Sequence, residues 1–225
     1  MNSEEISRNL YSISKKSGLS KPEKFRIKAA LNLIGCGKKV LDLGSYNGVI
    51  TTEISKCSNE VWAFDASDSF ENKYRQVGIP FVRGDVEKPL PYESSFFDVV
   101  FTGEVIEHLV DTDIFLDEIK RVLKRDGCAI ITTPNAASFP RRLLLLLGMN
   151  PFFEASPKSG GEEIAGHLRY FTYGLFKDFL YSHGFEIEKR TSDVVNFSSN
   201  VSSRILAKIF PALGRSIIVR AKIRK

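Results

Sequence analysis

The stretch Val40-Leu41-Asp42-Leu43-Gly44-Ser45-Tyr46-Asn47-Gly48 decides the fold. A short apolar run carrying one aspartate breaks directly into a glycine-bearing turn, and a helix-forming segment follows. Runs that are apolar on both faces and bounded by Gly, Asp or Pro read as strands of a parallel sheet covered on both sides. Val61-Trp62-Ala63-Phe64, Phe97-Asp98-Val99-Val100-Phe101 and Ala129-Ile130-Ile131-Thr132 are of the same kind, and Pro80-Phe81-Val82-Arg83 is a weaker fifth. Between them lie helical periods. The clearest is the stripe Phe115, Leu116, Ile119, Val122 and Leu123, with charged residues on the other face and Asp126-Gly127 expected to close it. Alternating strands and helices predict an α/β fold, a doubly wound Rossmann-like sheet with right-handed crossovers. Beyond Pro134, Phe139 to Gly148 reads as a short apolar helix and Thr172 to His183 as another, followed by a strand at Phe185 to Arg190. Ser216 to Lys225 reads as a final strand, antiparallel at the sheet edge.

The 225 residues are 43% hydrophobic and include 17 Phe, enough apolar surface to offset chain entropy, which excludes disorder, collagen and disulfide scaffolds. One domain over 1–225 is expected, with 1–35 as an N-terminal helical lid and 134–170 as a substrate-side insertion. Cys36, Cys57 and Cys128 lack the spacing of a zinc or redox motif. The opening MNSEEIS is not a secretory signal, and the longest aliphatic run, Leu143 to Leu147, is too short to span a bilayer, so a cytoplasmic protein is expected. The net charge of +5 is uneven. No acidic residue follows Asp193, while Arg204, Lys208, Arg215, Arg220, Lys222, Arg224 and Lys225 do. This basic C-terminus, together with residues 141–147, can rest on a membrane surface as a peripheral contact. The plainer expectation is a solvated terminal strand and a lid helix facing the core. No basic motif with interleaved stacking aromatics supports nucleic acid as a partner.

Open α/β sheets bind ligands at the carboxyl ends of their strands. There Gly44 and Gly48 permit a tight turn and close backbone approach, although a lone Gly-x-x-x-Gly is weak evidence and Tyr46 interrupts the dinucleotide fingerprint. Asp65 ends the second strand, where a carboxylate can accept ribose hydroxyls. Asp85 ends the third, where it can accept an adenine amino group beside the backbone of Val86. Asp42, Asp65 and Asp85 together would repel a pyrophosphate and favour a cofactor carrying sulfonium and ammonium charges. A nicotinamide-dependent dehydrogenase would leave Asp85 without a role.

The segments VLDLGSYNGVITTEI, AFDAS, RGDVEKPLPYESSFFDVVFTGEVIEHL and LKRDGCAIITTPN, in this order over roughly residues 38–135, resemble class I S-adenosylmethionine (SAM)-dependent methyltransferases. The resemblance implies a seven-stranded sheet with an antiparallel last strand and SAM as cofactor. It also implies that Asp42, Gly44, Ser45, Tyr46 and Gly48 surround the methionine end, Asp65 and Ala66 the ribose, and Asp85 and Val86 the adenine. Thr102, Gly103 and Glu104 would border the cofactor after the fourth strand. Tyr46 stands where the family usually has Gly, so that turn must be reshaped.

If the acceptor is a hydroxyl, a base must take its proton, and histidine suits neutral pH. His183 lies at a helix end and reads as structural. His108, directly after the fourth strand, and His167, where the insertion re-enters the fold, are the candidate catalytic residues. Glu104, Glu107 and His108 would share one face of a helix and, with His167, could hold a divalent cation. Similar Glu-x-x-Glu-His clusters occur in ubiquinone-biosynthesis O-methyltransferases and small-RNA terminal 2′-O-methyltransferases. Many relatives without metal share EVIEHL, so no metal ligand is assigned from the sequence. His167-Leu168-Arg169-Tyr170-Phe171-Thr172 resembles methyltransferases of polysaccharide and lipid-linked glycan pathways, with Arg169 available to neutralise an acidic substrate group. The expected activity is methyl transfer to an oxygen of a small molecule or glycan. The alternatives are a metal-assisted RNA 2′-O-methyltransferase and a non-catalytic SAM-binding module.

Overall fold

The computed structural model describes residues 20–57, 59–152, 167–197 and 201–224. The first part of the expected lid, the middle of the expected insertion and Lys225 lie outside the described residues. Within them a seven-stranded sheet runs in the order β3-β2-β1-β4-β5-β9-β6. Its strands are β1 (Lys39–Leu43), β2 (Glu60–Asp65), β3 (Phe81–Arg83), β4 (Phe97–Gly103), β5 (Leu123–Pro134), β6 (Phe185–Thr191) and β9 (Ser216–Ile223). A two-stranded pair, β7 (Val195–Asn196) and β8 (Ser202–Ser203), stands apart.

Strand period explains why both faces need cover. Val40, Val61, Val99, Phe101, Ile130 and Ile218 face one layer, and Leu41, Leu43, Val100, Ala129, Ile131 and Val219 face the other. The first layer is closed by α1 (Lys21–Ile34) and α2 (Val49–Ser55) through Ala30, Ile34 and Ile54. The second is closed by α4 (Thr112–Val122) and α6 (Tyr173–Ser182) through Phe115, Leu116, Ile119, Val122, Phe176 and Leu180. The remaining helices are α3 (Glu71–Gln76), α5 (Phe139–Leu146) and α7 (Arg204–Ile209). Capping sets the starts. Ser20 and Glu23 form a reciprocal capping box at α1, and Asp111 accepts from the amides of Asp113 and Ile114 at α4.

Three expectations are corrected. The amphipathic helix stops at Val122, not at Asp126-Gly127, because Leu123 already pairs with Phe97 in the sheet. Helical and strand periods both bury Leu123, and the ladder decides between them. The last strand is antiparallel but not at the edge: β9 lies between β5 and β6, pairing with both. Ile217, Ile218, Val219 and Ala221 are buried on both faces, which an edge position would forfeit. The edge is β6 instead, where Glu186, Glu188, Lys189 and Arg190 are exposed and discourage further pairing. Finally, the C-terminus is not a free basic tail. Arg220 and Lys222 both pair with Glu188, Arg215 pairs with buried Asp193, and Arg224 lies over the Tyr181 ring.

Asn135 joins the two halves. Fully buried after β5, its amide donates to the carbonyls of Ala212 (3.0 Å) and Gly214 (2.8 Å) and its carbonyl accepts from Ala137 (3.0 Å). Asn135→Ala removes all three bonds and takes this donor from the buried Gly214 carbonyl and this acceptor from the Ala137 amide, so it is expected to destabilise the chain by about 2–3 kcal/mol. Urea unfolding should show a lowered midpoint with an unchanged slope.

Candidate functional site

The turn after β1 is built around one acceptor. The amides of Gly44 (2.8 Å) and Ser45 (3.1 Å) both donate to the carbonyl of Phe64 in β2. Gly44 has φ +85°, and a Cβ there would collide with the Val105 side chain, so conformation and space both require glycine. Tyr46 takes the left-handed region (φ +44°), turns its ring to solvent against Phe70, and donates its amide to Asp65 Oδ2 at 2.8 Å. That is how the turn accommodates Tyr46 where a glycine was expected. Gly48 caps α2, with the Tyr74 ring packed behind it and the Tyr74 hydroxyl donating to the Ser45 carbonyl.

In front of this turn lies a cavity of about 540 Å³, within the range of small-molecule sites. Asp42, Gly44, Ser45, Tyr46, Asp65, Ala66, Asp85, Val86, Gly103, Glu104 and His108 all line it, as the sequence led us to expect. Thr102 and Gly48 do not. Thr102 is buried within β4, and Gly48 sits behind the turn against Tyr74. The sequence reading missed Glu23, Arg26 and Ile27, which α1 brings to the wall, and Asn47, Val49, Ile50, Val105 and Leu109. An amphipathic first helix was legible, but not that Arg26 meets Glu104, seventy-eight positions away, at 2.7 Å.

The expected helical face of Glu104, Glu107 and His108 is absent. Glu104 adopts φ +58° at the end of the strand, and only Ile106–His108 form a single 3₁₀ turn. The two carboxylates therefore part. Glu104 is held by Arg26 and by Thr132 Oγ1 (2.9 Å), whereas Glu107 turns inward to Thr133 Oγ1 (3.0 Å). The Glu107 carbonyl accepts from the amides of Leu168 (2.8 Å) and Arg169 (3.1 Å), which carries His167 to the site. Ligand atoms of Glu107, His108 and His167 lie within 4.8 Å of one another, and the two imidazole centroids are 4.8 Å apart. His167 is a neighbour of His108 and does not itself line the cavity. Arg169 clamps the carbonyls of Leu109 and Val110, so its guanidinium is engaged by backbone, not offered to a substrate acid. His183 bonds Phe179 and Asp113 at the end of α6, the structural role expected.

Burial sets the charge state of these acids. Asp42 is pushed up to about 7, chiefly by desolvation, with the hydrogen bond from Thr51 (2.5 Å) opposing it and nearby Asp65 adding to it. Glu104 is raised by burial against the pull of Arg26. Glu107 is raised from 4.5 to about 8, by burial first and by Glu104 second. Its Oε1 has no hydrogen-bond partner.

Comparison with known proteins completes the picture. Residues 41–131 match the family model described as a methyltransferase domain. Over those residues, less than half of its length, the chain is similar to SAM-dependent methyltransferases of class I. The ubiquinone biosynthesis O-methyltransferase of Bradyrhizobium diazoefficiens is 31% identical over 112 residues, which cover 47% of this chain and 43% of that protein. The demethylmenaquinone methyltransferase of Mycolicibacterium paratuberculosis is 33% identical over 109 residues, 47% of each. The matched part thus spans less than half the length of these curated relatives. Among solved structures, a SAM-dependent methyltransferase from Aquifex aeolicus superposes with a TM-score of 0.62, at 17% identity over 95% of this chain and 98% of that one. The 1,6-didemethyltoxoflavin-N1-methyltransferase of Burkholderia thailandensis, solved with 1,6-didemethyltoxoflavin and S-adenosylhomocysteine, gives 0.61 at 17% identity over 89% and 79%. At such identities the superpositions establish the shared fold.

The raised value of Glu107 has a consequence for this domain's stability. A carboxyl with a folded value above its unfolded one keeps a proton that the unfolded chain has already lost. Its contribution therefore falls as pH rises from 4.5 towards 8. Glu107→Gln removes that penalty. The melting temperature of the variant should exceed the parent's at pH 8 by at least about 3 °C and match it at pH 5. A pH-independent difference in differential scanning fluorimetry would show that Glu107 does not titrate as derived.

Proposed function

We propose that the chain transfers the methyl group of SAM to a hydroxyl oxygen of an apolar small molecule, with His108 and His167 accepting the released proton. The observation that carries this reading is the adjacency, at one sheet edge, of a carboxylate-lined cavity and the group Glu107, His108 and His167, with His108 common to both. The lining fits the cofactor. Each Asp65 oxygen accepts one backbone amide, from Tyr46 and Ser67, and keeps lone pairs for a ribose diol. Asp85 is half exposed and accepts from the Glu87 amide, leaving it able to receive an adenine amino group beside Val86. Asp42, Gly44, Ser45 and Tyr46 form the end suited to the methionine part, with Gly103 and Glu104 along its border. Six carboxyl groups, those of Glu23, Asp42, Asp65, Asp85 and Glu104 in the cavity and of Glu107 beside it, favour a ligand with net positive charge and disfavour a pyrophosphate.

When bound, SAM supplies a methyl on a sulfonium, which leaves as a neutral thioether as the acceptor oxygen takes the methyl. The protein's own part is alignment, exclusion of water and removal of one proton. α1 covers the cavity with Glu23, Arg26 and Ile27, and Val105 and Leu109 give the inner wall an apolar surface. An imidazole of the His108–His167 pair takes the hydroxyl proton. Glu107, beside both rings, is drawn towards its ionised form by the imidazolium that results and then stabilises it. The names of the curated relatives, concerned with ubiquinone and menaquinone, support a hydroxylated aromatic as the acceptor class.

A second reading is favoured by the same three side chains. One carboxylate with an orphan oxygen and two imidazoles are a fitting donor set for a divalent cation, which would make a bound hydroxyl more acidic directly. Glu104, engaged by Arg26, is not part of that set.

Calorimetric titration with SAM tests the cofactor. Asp65→Ala should weaken affinity by roughly 10-fold or more, since hydrogen bonds to a charged group are lost; unchanged affinity sinks the assignment. His167→Ala should keep SAM affinity within about 2-fold and lower turnover of catechol or a short-chain prenylated quinol by roughly 100-fold. Turnover that persists in chelator favours the histidine base. Turnover that is lost in chelator and restored by Mn²⁺, but not in Glu107→Ala, favours the cation.

A further inference from the structure

We infer that the face formed by α5, α7 and the turn after α7 docks the protein on an anionic lipid bilayer. The expectation that the leucine-rich helix faces the core is not met: no residue of α5 is buried. Leu145, Leu146 and Leu147 are 66–81% exposed, and Ile205, Ile209 and Phe210 are 54–72% exposed. These belong to neighbouring elements, not to scattered positions. α5 and α7 both pack on β7, the Phe139 ring meets Phe197 at 5.2 Å, and Arg142 donates to the carbonyl of Ala212. A soluble monomer rarely leaves large aliphatic and aromatic side chains together in water unless something covers them.

Charge points to what covers them. No Asp or Glu occurs between Asn135 and Phe152 or after Asp193, so every ionised side chain of α5 and α7 is basic. Arg142, Arg204 and Lys208 lie within 4.0 Å of no carboxylate among the described residues; Arg142 is held by carbonyls and Arg204 by the Phe25 ring. An apolar surface rimmed by unneutralised cations suits the boundary of acyl chains and anionic headgroups. A second copy of this chain would bring the same positive charges against these. No described helix is long and apolar enough to cross a membrane, so the contact is one of lying on the surface.

Topology gives the contact a purpose. β5 and β6 run parallel to β4, and Ser216 of β9 pairs with Pro134, so α5, β7 and α7 all emerge at the carboxyl edge. The cavity opens at that same edge. Docking there brings the cavity's edge of the sheet to the lipid boundary, where an apolar acceptor concentrates. The inference does not depend on the chemistry proposed for the cavity, because its test reads binding alone.

The test is sedimentation of the full chain with vesicles of phosphatidylcholine, with and without 30% phosphatidylglycerol. The chain should partition onto the anionic vesicles at least ~10-fold more strongly, and 0.5 M NaCl should remove most of that gain. Leu146→Ser with Ile205→Ser should lower anionic binding about 5-fold or more, and Lys208→Glu should also lower it, with melting temperature and SAM affinity unchanged. Equal binding to neutral vesicles, or full binding by the double variant, overturns the inference. So does a dimer in sedimentation velocity that the double variant dissolves, since a second copy would then be the cover.

Discussion

Two amides converging on one carbonyl hold the working edge of this protein together. Because Gly44 and Ser45 both donate to Phe64, the turn after β1 is tied to the end of β2, and Asp42 and Asp65 are presented together. The tie is possible only with glycine at 44, since Val105 occupies the space a Cβ would need. Val105 in turn separates Glu104, which faces α1, from Glu107, which faces the histidines. A single backbone constraint thus propagates from the first strand to the loop after the fourth, and the cavity is what remains between them.

The same convergence creates an electrostatic conflict. Asp42, Asp65, Asp85, Glu104 and Glu107 gather at one edge, and burial pushes Asp42, Glu104 and Glu107 upward. Arg26 relieves Glu104 directly and Glu107 only at a distance. A fold that leaves acids desolvated is poised for a cation, because each carboxyl that ionises on binding gains an attraction in a medium of low polarisability. Affinity for a cationic ligand and instability of the empty edge then have one origin. The fit to a sulfonium cofactor proposed above rests on these strand ends.

How much of this was legible in the sequence depends on the range of the interaction. Strands β1, β2, β4 and β5 and the aspartates at their ends were readable because strand period and turn chemistry are local, and the topology then aligns the ends automatically. Leu123 was misread because both periods bury it. The position of β9 was misread because antiparallel pairing leaves no mark on which neighbours a strand takes, although its doubly apolar run Ile217-Ile218-Val219 spoke against an edge. In the site, the spacing of Glu104, Glu107 and His108 suggested a helical face that the left-handed backbone at Glu104 abolishes. The proximity of His167 to His108 was anticipated, because the returning insertion had to close over the same edge, whereas Arg26 could not be seen, since it meets Glu104 across seventy-eight positions.

Strand direction also explains why charge and apolar surface meet at one edge. A parallel strand brings its carboxyl end, and the loop that follows, to the same side as its neighbours, so the segments after β1 to β6 accumulate there. The first four strands of the chain supply the cavity from β1, β2, β3 and β4. The later ones, β5 and β6, supply α5 and β7, and antiparallel β9 is entered from the same side through α7. Among the described residues the central sheet buries its apolar residues on both faces. The cavity and the exposed apolar face therefore share one rim. Along it acids lie over the first half of the strands and exposed leucines and cations over the second, so charge and apolar surface are segregated before any ligand arrives.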